Sequence, residues 1–451
     1  MIFFKGWLLC QLFACIIIDE INLYKLEGAM TEAKEQFKSL QEKIKETCEK
    51  AGFSESFYNI IREPERIIEV NIPVKMDDGT TQTFRGFRSA HSSALGPSKG
   101  GVRFDESVTY EEVKVLSTLM SLKVALLGLP LGGGKGGIVV DPKKLSEREL
   151  EALSRGFVRA INNYIGPRID VPAPDVNTNA KIMGYFTDEY IALNGNRHDI
   201  ATFTGKAVEM GGSLGRAEAT GFGVYLTIKK YYEKIGKSLA GATFALQGFG
   251  NVGSFAAKFL TQDGAKLIAL NSKDKSQKSG SSAIYEPNGL DVEKLDKARE
   301  ETGSALNVEA KKISNEEFFA LPCDILIPAA MENVIDETNA GEIKAKLIVE
   351  AANGPVTEAG EAILNEKNIP LLPDILANSG GVLVSHYEWI QNVTGSYWDE
   401  DEVRAKQEKD MSKAIGEVFE TAEKYKVNYR EAAFILSLSR IEKALKLRGR
   451  I

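Results

Sequence analysis

Residues 241–270 contain a strand pattern, a glycine turn and a helix pattern in that order. Of all features of the sequence, this order most narrows the folds that the chain can adopt. The segment reads GATFALQGFGNVGSFAAKFLTQDGAKLIAL and closes on a second apolar strand pattern. Further along, CDILIPAA and KLIVEAANG repeat a short apolar strand that ends in small residues. Buried strands that alternate with helices predict an α/β domain with a doubly wound, Rossmann-like parallel sheet.

The glycine turn predicts a nucleotide site. Gly248, Gly250 and Gly253 form a G-x-G-x-x-G motif between strand and helix. The first glycine permits the tight turn, the second lets a pyrophosphate approach the backbone, and the third lets the helix pack on the strand. The helix N-terminus, at Asn251 and Val252, offers N–H groups to phosphates. The alternative is an ordinary βαβ turn that binds nothing.

The end of the second strand bears on which dinucleotide is bound. An acidic residue there holds the ribose hydroxyls of NAD and disfavours the 2′-phosphate of NADP. The strand ends at Asn271-Ser272-Lys273, followed by a lysine-rich loop over 273–282. Ser272 and these lysines favour NADP, whereas Asp274 could still serve the acidic role. We expect NAD(P), with a preference for NADP.

Three lysines lie among glycines or aliphatic residues, where lysines are uncommon. Lys99 is in GPSKGG, Lys123 ends VLSTLMSLK, and Lys135 is in LPLGGGKGG. Ammonium groups collected in one dry pocket would bind an anion, and their crowding would lower the pKa of one of them. The alternative is that each lysine is separately satisfied by carbonyls or an acidic side chain. Asp175, in the loop VPAPDVNT, is either their counter-ion or a proton shuttle.

Length and composition exclude several classes of protein. At 451 residues the chain is long enough for two domains. Its net charge is −7, and no basic stretch is interleaved with aromatics, so nucleic acid is not an expected partner. Four scattered cysteines and three histidines form neither a disulfide framework nor a metal-ligand pattern. We therefore expect metal-free chemistry.

The first 29 residues differ from the rest of the chain. FFKGWLLCQLFACIII is almost continuously apolar but shorter than a membrane span. It is a signal-peptide-like segment, a membrane tether, or a stretch upstream of a translation start at Met30, which is the interpretation we favour. Membrane association is therefore not expected, and the predicted location is the cytoplasm.

The remaining chain divides into two predicted domains. Residues 30–215, joined by returning helices over 391–451, form an α/β substrate-binding and oligomerisation domain. Its predicted elements are a hairpin from IIEVNIPV to TQTFRGFR, a helix over 110–128 and a helix capped by Ser146 and Glu149, with functional groups on loops. Residues 216–390 form the dinucleotide-binding domain.

Eight motifs in order resemble one family over residues 31–451. The motifs are GPSKGGVRF, LMSLK, LPLGGGKGGI, PAPDVNT, TGKAVEMGGSLGRAEATGFGV, GFGNVG, EAANGPVT and NSGGVLVSHYEW. In these motifs the chain resembles the glutamate dehydrogenases of the Glu/Leu/Phe/Val amino-acid dehydrogenase superfamily. Phe222 departs from the pattern, since the family often has arginine there.

The resemblance implies a role for each matching residue. Lys135 and Asp175 match the catalytic lysine and aspartate. Lys123 matches the lysine that holds the substrate α-carboxylate, and Lys99 with Ser385 matches the pair that binds the glutamate side-chain carboxylate. The positions that contact the nicotinamide end of the cofactor are matched by Thr220 and Asn353.

The implied activity is reversible oxidative deamination of glutamate to 2-oxoglutarate and ammonium in a homo-hexamer. A base active near neutral pH is needed, and desolvation can lower the pKa of Lys135 toward that range. The glycines beside Lys135 would let the backbone approach the substrate. Because a buried, unpaired ammonium is unfavourable, Lys99 favours an acidic substrate. The alternatives are a branched-chain or aromatic substrate and a catalytically silent, ligand-sensing homologue.

Overall fold

A computed structural model describes residue 28 and residues 31–273 and 281–451 of the chain. The apolar N-terminal segment and most of the lysine-rich loop, with Asp274, lie outside the described residues. The fold divides into two compact units. Of the described residues, the first comprises those up to Ser121, Leu131–Lys206 and Ile451, and the second comprises Leu122–Pro130 and those between Ala207 and Arg450.

The first unit is built on a five-stranded mixed sheet of order β1-β2-β4-β3-β5. β1 and β2 form the predicted antiparallel hairpin, β4 is antiparallel to β2, and β3 runs parallel to both β4 and β5. The strands are β1 (Arg66–Lys75), β2 (Thr81–Ser92), β3 (Ser98–Phe104), β4 (Gly132–Ile138) and β5 (Asp170–Pro174).

In the described residues, five α-helices accompany this sheet, and α3 continues past the end of the first unit into the second. α4 begins at the predicted capping box, in which Ser146 and Glu149 each bond the other's backbone N–H. Its apolar face places Phe157 against Phe186 in the core. The helices are α1 (31–51), α2 (Glu55–Ile61), α3 (Tyr110–Leu126), α4 (Glu147–Ile161) and α5 (Ala180–Leu193).

The second unit contains a seven-stranded sheet of order β12-β11-β10-β6-β7-β8-β9. The strands from β12 to β7 are parallel, which confirms the predicted α/β fold with its Rossmann-like sheet. β8 and β9 add an antiparallel edge that the sequence reading missed. The strands are β6 (Thr243–Gln247), β7 (Lys266–Lys273), β8 (Ser281–Tyr285), β9 (Lys311–Ile313), β10 (Ile325–Pro328), β11 (Ile348–Val349) and β12 (Leu371–Leu372).

Nine helices of the described chain belong to this second unit. Phe222 of α6 packs on Phe259 of α7 with ring centroids 4.9 Å apart, so an apolar residue suits the position where the family often has arginine. The helices are α6 (Ala219–Lys234), α7 (Asn251–Gln262), α8 (Val292–Thr302), α9 (Asn315–Phe319), α10 (Glu358–Glu366), α11 (Asp374–Ala377), α12 (Gly380–Thr394), α13 (Glu400–Tyr425) and α14 (Tyr429–Leu447).

The C-terminal helices differ from the predicted domain assignment. Residues 391–451 were expected to return to the first domain, yet α13 and α14 lie in the second unit. Gln407 of α13 donates to the carbonyl of Ala219 at 2.6 Å, and Phe419 packs on Tyr231 of α6. Amphipathic periodicity shows that a helix has a buried face but does not identify its partner.

Within the described ranges, no helix is both long and apolar enough to cross a membrane.

Candidate active site

Of three functional side chains in the first unit, two lie on strands and not on loops as predicted, whereas Asp175 lies in the loop predicted for it. Lys135 is in the middle of β4, where it pairs with Ser89 of β2. Lys99 is in β3, next to Gly133 of β4, and Asp175 directly follows β5. Because β3 and β5 are parallel, Lys99, near the start of β3, and Asp175, past the end of β5, lie toward opposite ends of these two strands.

Lys135 and Asp175 form a partly buried ion pair. The Lys135 Nζ lies 2.6 Å from Oδ2 of Asp175, and the lysine is only 6% exposed. The other carboxylate oxygen, Oδ1, accepts a hydrogen bond from Nε of Arg103 at 2.9 Å. Arg103 is not among the residues predicted from the sequence, although it lies in the same GPSKGGVRF segment as Lys99. Each oxygen of Asp175 therefore faces one cation.

Burial and charge shift the pKa values of this pair. Desolvation lowers the pKa of Lys135 from its ordinary value even though Asp175 opposes the shift, and the charge of Arg103 acts in the same direction as burial. Burial alone would raise the pKa of Asp175, but Lys135 and Arg103 hold it well below its usual range. The lysine is thus brought toward proton acceptance, and the aspartate stays ionised.

The glycines beside Lys135 serve packing, which corrects the expectation that they leave room for substrate. A Cβ on Gly133 would lie 2.2 Å from the Ser117 carbonyl oxygen and 2.2 Å from the Ser121 nitrogen, both in α3. A Cβ on Gly134 would lie 2.9 Å from Nη2 of Arg88. The space next to these glycines is filled by the protein, so β4 needs glycine to approach its neighbours.

Lys99 is almost completely buried. Its side chain donates to the Thr204 hydroxyl, and Lys99 is 1% exposed and Thr204 0% exposed. The backbone N–H of Thr204 donates to the carbonyl of Pro172 in β5, so Thr204 lies beside that strand. Thr204 lies in the quoted TGK segment, yet nothing in its spacing indicated that it would contact Lys99.

In the second unit, Lys123 is held by two asparagines. Its Nζ donates to Oδ1 of Asn378 at 2.6 Å and to Oδ1 of Asn353 at 3.4 Å. The Asn378 amide in turn donates to Oδ1 of Asn353 at 2.9 Å. Asn353 was predicted as a site residue and Asn378 was not, although Asn378 begins the NSGGV motif. The lysine ammonium and two amides form one polar cluster.

Ser385 and Thr220 lie on two helices that cross closely. Ser385 is in α12 and is buried, and Thr220 is in the first turn of α6. A Cβ on Gly381 of α12 would lie 2.5 Å from Oγ1 of Thr220, and one on Gly380 would lie 2.2 Å from the Ala219 carbonyl oxygen. The two glycines of NSGGV thus permit the crossing.

The glycine turn connects β6 to α7. Gly248 has a φ of 92°, and a Cβ there would lie 2.9 Å from the carbonyl oxygen of Ala329. A Cβ on Gly253 would lie 2.0 Å from the Gly248 carbonyl oxygen, whereas beside Gly250 there is no atom within 4 Å. α7 begins at Asn251, with Val252 next, and its N-cap Gly250 has no side chain to cap it. The open side at Gly250 and the uncapped helix end suit a phosphate.

The end of β7 has a polar but uncharged character. Asn271 is buried, and its amide donates to Oδ1 of Asn315 at 2.6 Å. Ser272 is half-buried and pairs with Ser282 of β8. Lys273, the last residue of β7, is exposed, and Asp274 lies outside the described residues.

The predicted site residues are divided between the two units. In the described part of the chain, no group of histidine, cysteine or acidic side chains is arranged to hold a metal ion. The first unit carries Lys99, Lys135 and Asp175; the second carries Lys123, Thr220, Gly248, Gly250, Asn251, Val252, Gly253, Ser272, Asn353 and Ser385.

Comparison with known proteins gives consistent matches along the chain. Residues 211–449 match the family model described as Glutamate/Leucine/Phenylalanine/Valine dehydrogenase, and residues 64–192 match Glu/Leu/Phe/Val dehydrogenase, dimerisation domain. The NAD-specific glutamate dehydrogenase of Peptoniphilus asaccharolyticus is 52% identical over 421 residues, covering 93% of this chain and all of the relative. That of Clostridioides difficile is 49% identical over 414 residues, covering 92% and 98%.

Solved structures agree with these matches. The crystal structure of glutamate dehydrogenase from Peptoniphilus asaccharolyticus has a TM-score of 0.84 at 51% identity, covering 92% of this chain and 100% of that one. The hetero-hexameric glutamate dehydrogenase from Thermus thermophilus, in a leucine-bound form, has a TM-score of 0.84 at 34% identity, covering 92% and 97%.

Proposed function

The chain belongs to the Glutamate/Leucine/Phenylalanine/Valine dehydrogenase family, as its motifs indicated, and from that premise we propose that it interconverts L-glutamate with 2-oxoglutarate and ammonium. The observation that carries the proposal is the partly buried Lys135–Asp175 ion pair, with its Nζ–Oδ2 distance of 2.6 Å. It is an acid–base pair whose lysine is shielded from solvent, and the relatives at 52% and 49% identity are named glutamate dehydrogenases. A catalytically silent homologue would have no need of such a pair.

Lys135 and Asp175 divide the proton transfers between them. When the amino acid is oxidised at Cα, the resulting iminium must be attacked by water, and Lys135 as free amine accepts a proton from that water. Asp175, kept ionised by two cations, takes and returns the proton of the departing or arriving amine. Burial of the lysine lowers its pKa and so makes the first transfer feasible near neutral pH.

The glycine turn of the second unit fits a dinucleotide. When bound there, a nicotinamide dinucleotide would supply the hydride acceptor or donor. Gly248 makes the turn, Gly250 leaves open space beside the backbone, and the N-terminus of α7, at Asn251 and Val252, would hold the phosphates. The expected preference for NADP finds no support, because the most similar relatives reported above are named NAD-specific. We therefore assign NAD as the cofactor.

The substrate assignment depends on Lys99. Its ammonium is buried beside Thr204, and a substrate carboxylate that reaches it would gain a charge-assisted hydrogen bond. In the second unit, as the family resemblance implies, Lys123 would bind the α-carboxylate and Ser385 would donate its hydroxyl to the side-chain carboxylate. A branched-chain or aromatic side chain would offer the Lys99 ammonium no charge-assisted hydrogen bond, which disfavours that alternative.

The assembly is proposed to be a homo-hexamer in the cytoplasm. A relative at 34% identity is described as a hetero-hexameric glutamate dehydrogenase, and the first unit matches a dimerisation domain. Light scattering of the purified chain measures the assembly directly, and a mass of one or two subunits would contradict the proposal.

Initial rates of the purified protein test the reaction and the cofactor together. With glutamate and either NAD or NADP, we expect turnover that is much faster with NAD. The matched blank is Lys135→Ala, for which we expect a loss of about 1,000-fold or more in kcat, since the general base is removed. Equal or better turnover with NADP would refute the cofactor assignment, and turnover retained by the blank would refute the role of Lys135.

A further inference from the structure

A fourth charged residue completes the set around Asp175. Glu112, in the first turn of α3, accepts a hydrogen bond at Oε1 from Nη1 of Arg103. The same guanidinium donates through Nε to Oδ1 of Asp175 at 2.9 Å. Two carboxylates and two cations therefore alternate in one chain of contacts, which we call the charged set: Glu112, Arg103, Asp175 and Lys135.

These four side chains are shielded from solvent. The side-chain exposures are 18% for Glu112, 24% for Arg103, 23% for Asp175 and 8% for Lys135. Because shielded charges are screened little by salt, a change of charge at one end of the set is felt at the other. The formal charges of the four sum to zero.

The charged groups of the set come from separate elements of the first unit. Lys135 comes from β4, Arg103 from β3, Asp175 from the end of β5 and Glu112 from α3, and Asp105, just past β3, also acts on Arg103. Burial raises the pKa of Glu112, with Arg103 and Lys135 opposing. Glu112 is therefore coupled to both cations.

We propose that Glu112 is a positioning residue for the reaction: through Arg103 it fixes the Asp175 carboxylate and balances the positive charge beside Lys135. This inference rests on the proposed function of Lys135 and Asp175 but assigns a residue that their chemistry does not require. With a carboxylate at each end, the guanidinium is held with Nε toward Oδ1 of Asp175, which leaves Oδ2 for the lysine.

The consequence is a defined effect on pH dependence. Without the negative charge of Glu112, two cations face a single carboxylate, and the extra positive potential favours loss of the proton from Lys135. The pKa of Lys135 then falls, so the free amine forms at lower pH. For neighbouring charges in a shielded site, the expected size is about 0.5 to 1 pH unit.

The test compares three variants of the full-length protein. Glu112→Gln keeps the shape and removes the charge, Glu112→Asp keeps the charge, and Glu111→Gln is the matched control. Glu111 lies in the same helical turn but pairs with Lys114 at 3.3 Å and not with Arg103. The first readout is the acid limb of kcat/KM for glutamate against pH.

A second readout does not depend on turnover. The rate of reductive methylation at Lys135, measured by peptide mass spectrometry at each pH, reports the fraction of free amine. If the parent protein is inactive on glutamate, the proposed function fails while this titration still tests Glu112. Circular dichroism checks that each variant is folded, and Glu112→Ala, which also removes the charge, replaces Glu112→Gln if that variant does not fold.

The proposal is supported if Glu112→Gln moves both readouts to lower pH by about 0.5 unit or more, while Glu112→Asp and Glu111→Gln stay within about 0.2 unit of the parent. It is overturned if Glu112→Gln folds and neither readout moves. It is also overturned if Glu111→Gln moves both readouts as far as Glu112→Gln does, since any charge on α3 would then suffice. A shift to lower pH by about 0.5 unit or more in Glu112→Asp, which keeps the charge, overturns it as well.

Discussion

Two glycines of the proposed sites look alike in the sequence and have opposite surroundings. Gly133, two residues before Lys135, has backbone atoms of Ser117 and Ser121 at 2.2 Å from the Cβ it lacks. Gly250 has no atom within 4 Å of that position. Neither glycine has a φ in the left-handed region, so the two differ in the atoms around them and not in backbone strain. The first is needed for packing and the second for what binds beside it.

This contrast predicts different effects of the same substitution. Gly133→Ala should lower the free energy of unfolding by about 3 kcal/mol, because α3 must move away from β4. Gly250→Ala should change the free energy of unfolding by less than about 0.5 kcal/mol. It should instead raise KM for NAD several-fold, because the methyl group fills the open space beside the backbone. Denaturant unfolding measures the stability of each variant, and initial rates measure its KM for NAD. Equal stability losses in the two variants would contradict this account.

Lys99 carries a prediction about specificity. Lys99→Leu removes a buried ammonium that is bonded to Thr204, so kcat/KM for glutamate should fall about 100-fold or more. Activity with leucine or norvaline should rise relative to glutamate, since the subsite becomes apolar. Lys144→Leu, at a lysine whose side chain is 67% exposed, is the control and should retain the parent's kinetics. An unchanged preference for glutamate in folded Lys99→Leu would refute the assignment of this subsite.

Among the elements of the first unit, β2 and β5 are joined by an ion pair across the strands between them. Arg88 donates through Nε to Oδ2 of Asp170 at 2.8 Å, and both side chains are 0% exposed. The guanidinium also donates to the carbonyl of Gly100 at 3.1 Å. In the sheet order β2-β4-β3-β5, the pair therefore holds together the strands that carry Lys135 and Lys99.

Breaking this pair should weaken the sheet strongly. Asp170→Asn leaves the Arg88 charge buried without its carboxylate, and we expect a loss of about 3–5 kcal/mol in the free energy of unfolding. Glu106→Gln removes one partner of the exposed Glu106–Lys144 pair and should cost less than about 0.5 kcal/mol. Denaturant unfolding at fixed protein concentration compares them, and similar losses would contradict the argument.

At the scale of the whole molecule, the second unit contains an acidic cluster around one arginine. Arg430 of α14 donates to Glu350 and to Glu361, each at 2.7 Å, and Glu350 also accepts the N–H of Asp374 at 2.9 Å. Burial, reinforced by the charge of Asp374, raises the pKa of Glu350 from 4.5 to about 7, although Arg430 opposes the shift. The cluster joins α10, α11 and α14 to the end of β11.

The raised pKa predicts how stability depends on pH. A carboxyl with a higher pKa in the folded state stabilises that state below about pH 4.5, and this contribution is lost as the pH rises through about 7. Glu350→Gln stays neutral and does not lose this contribution. Its free energy of unfolding, relative to that of the parent, should therefore rise by on the order of 1–3 kcal/mol as the pH increases from 5 to 8. Glu366→Gln, at an exposed position of α10, is the control. A difference that does not vary with pH would contradict the prediction.

Local patterns in the sequence determined the parts of the protein whose physics is local. The β1–β2 hairpin, the capping box at Ser146 and the strand–turn–helix around Gly248 were predicted because each depends on residues a few positions apart. The order of eight motifs likewise identified the family. Lys135 and Asp175, 40 positions apart, were paired by family resemblance and not by their spacing.

Tertiary structure alone decided the features that depend on distant neighbours. Which helix α13 packs against, that the glycines beside Lys135 make room for α3, and that Arg103 and Glu112 belong to the charged set all follow from contacts between separate segments. A single sequence carries the hydrophobic period of each segment, but the partner of each face is chosen by the packing of the whole chain.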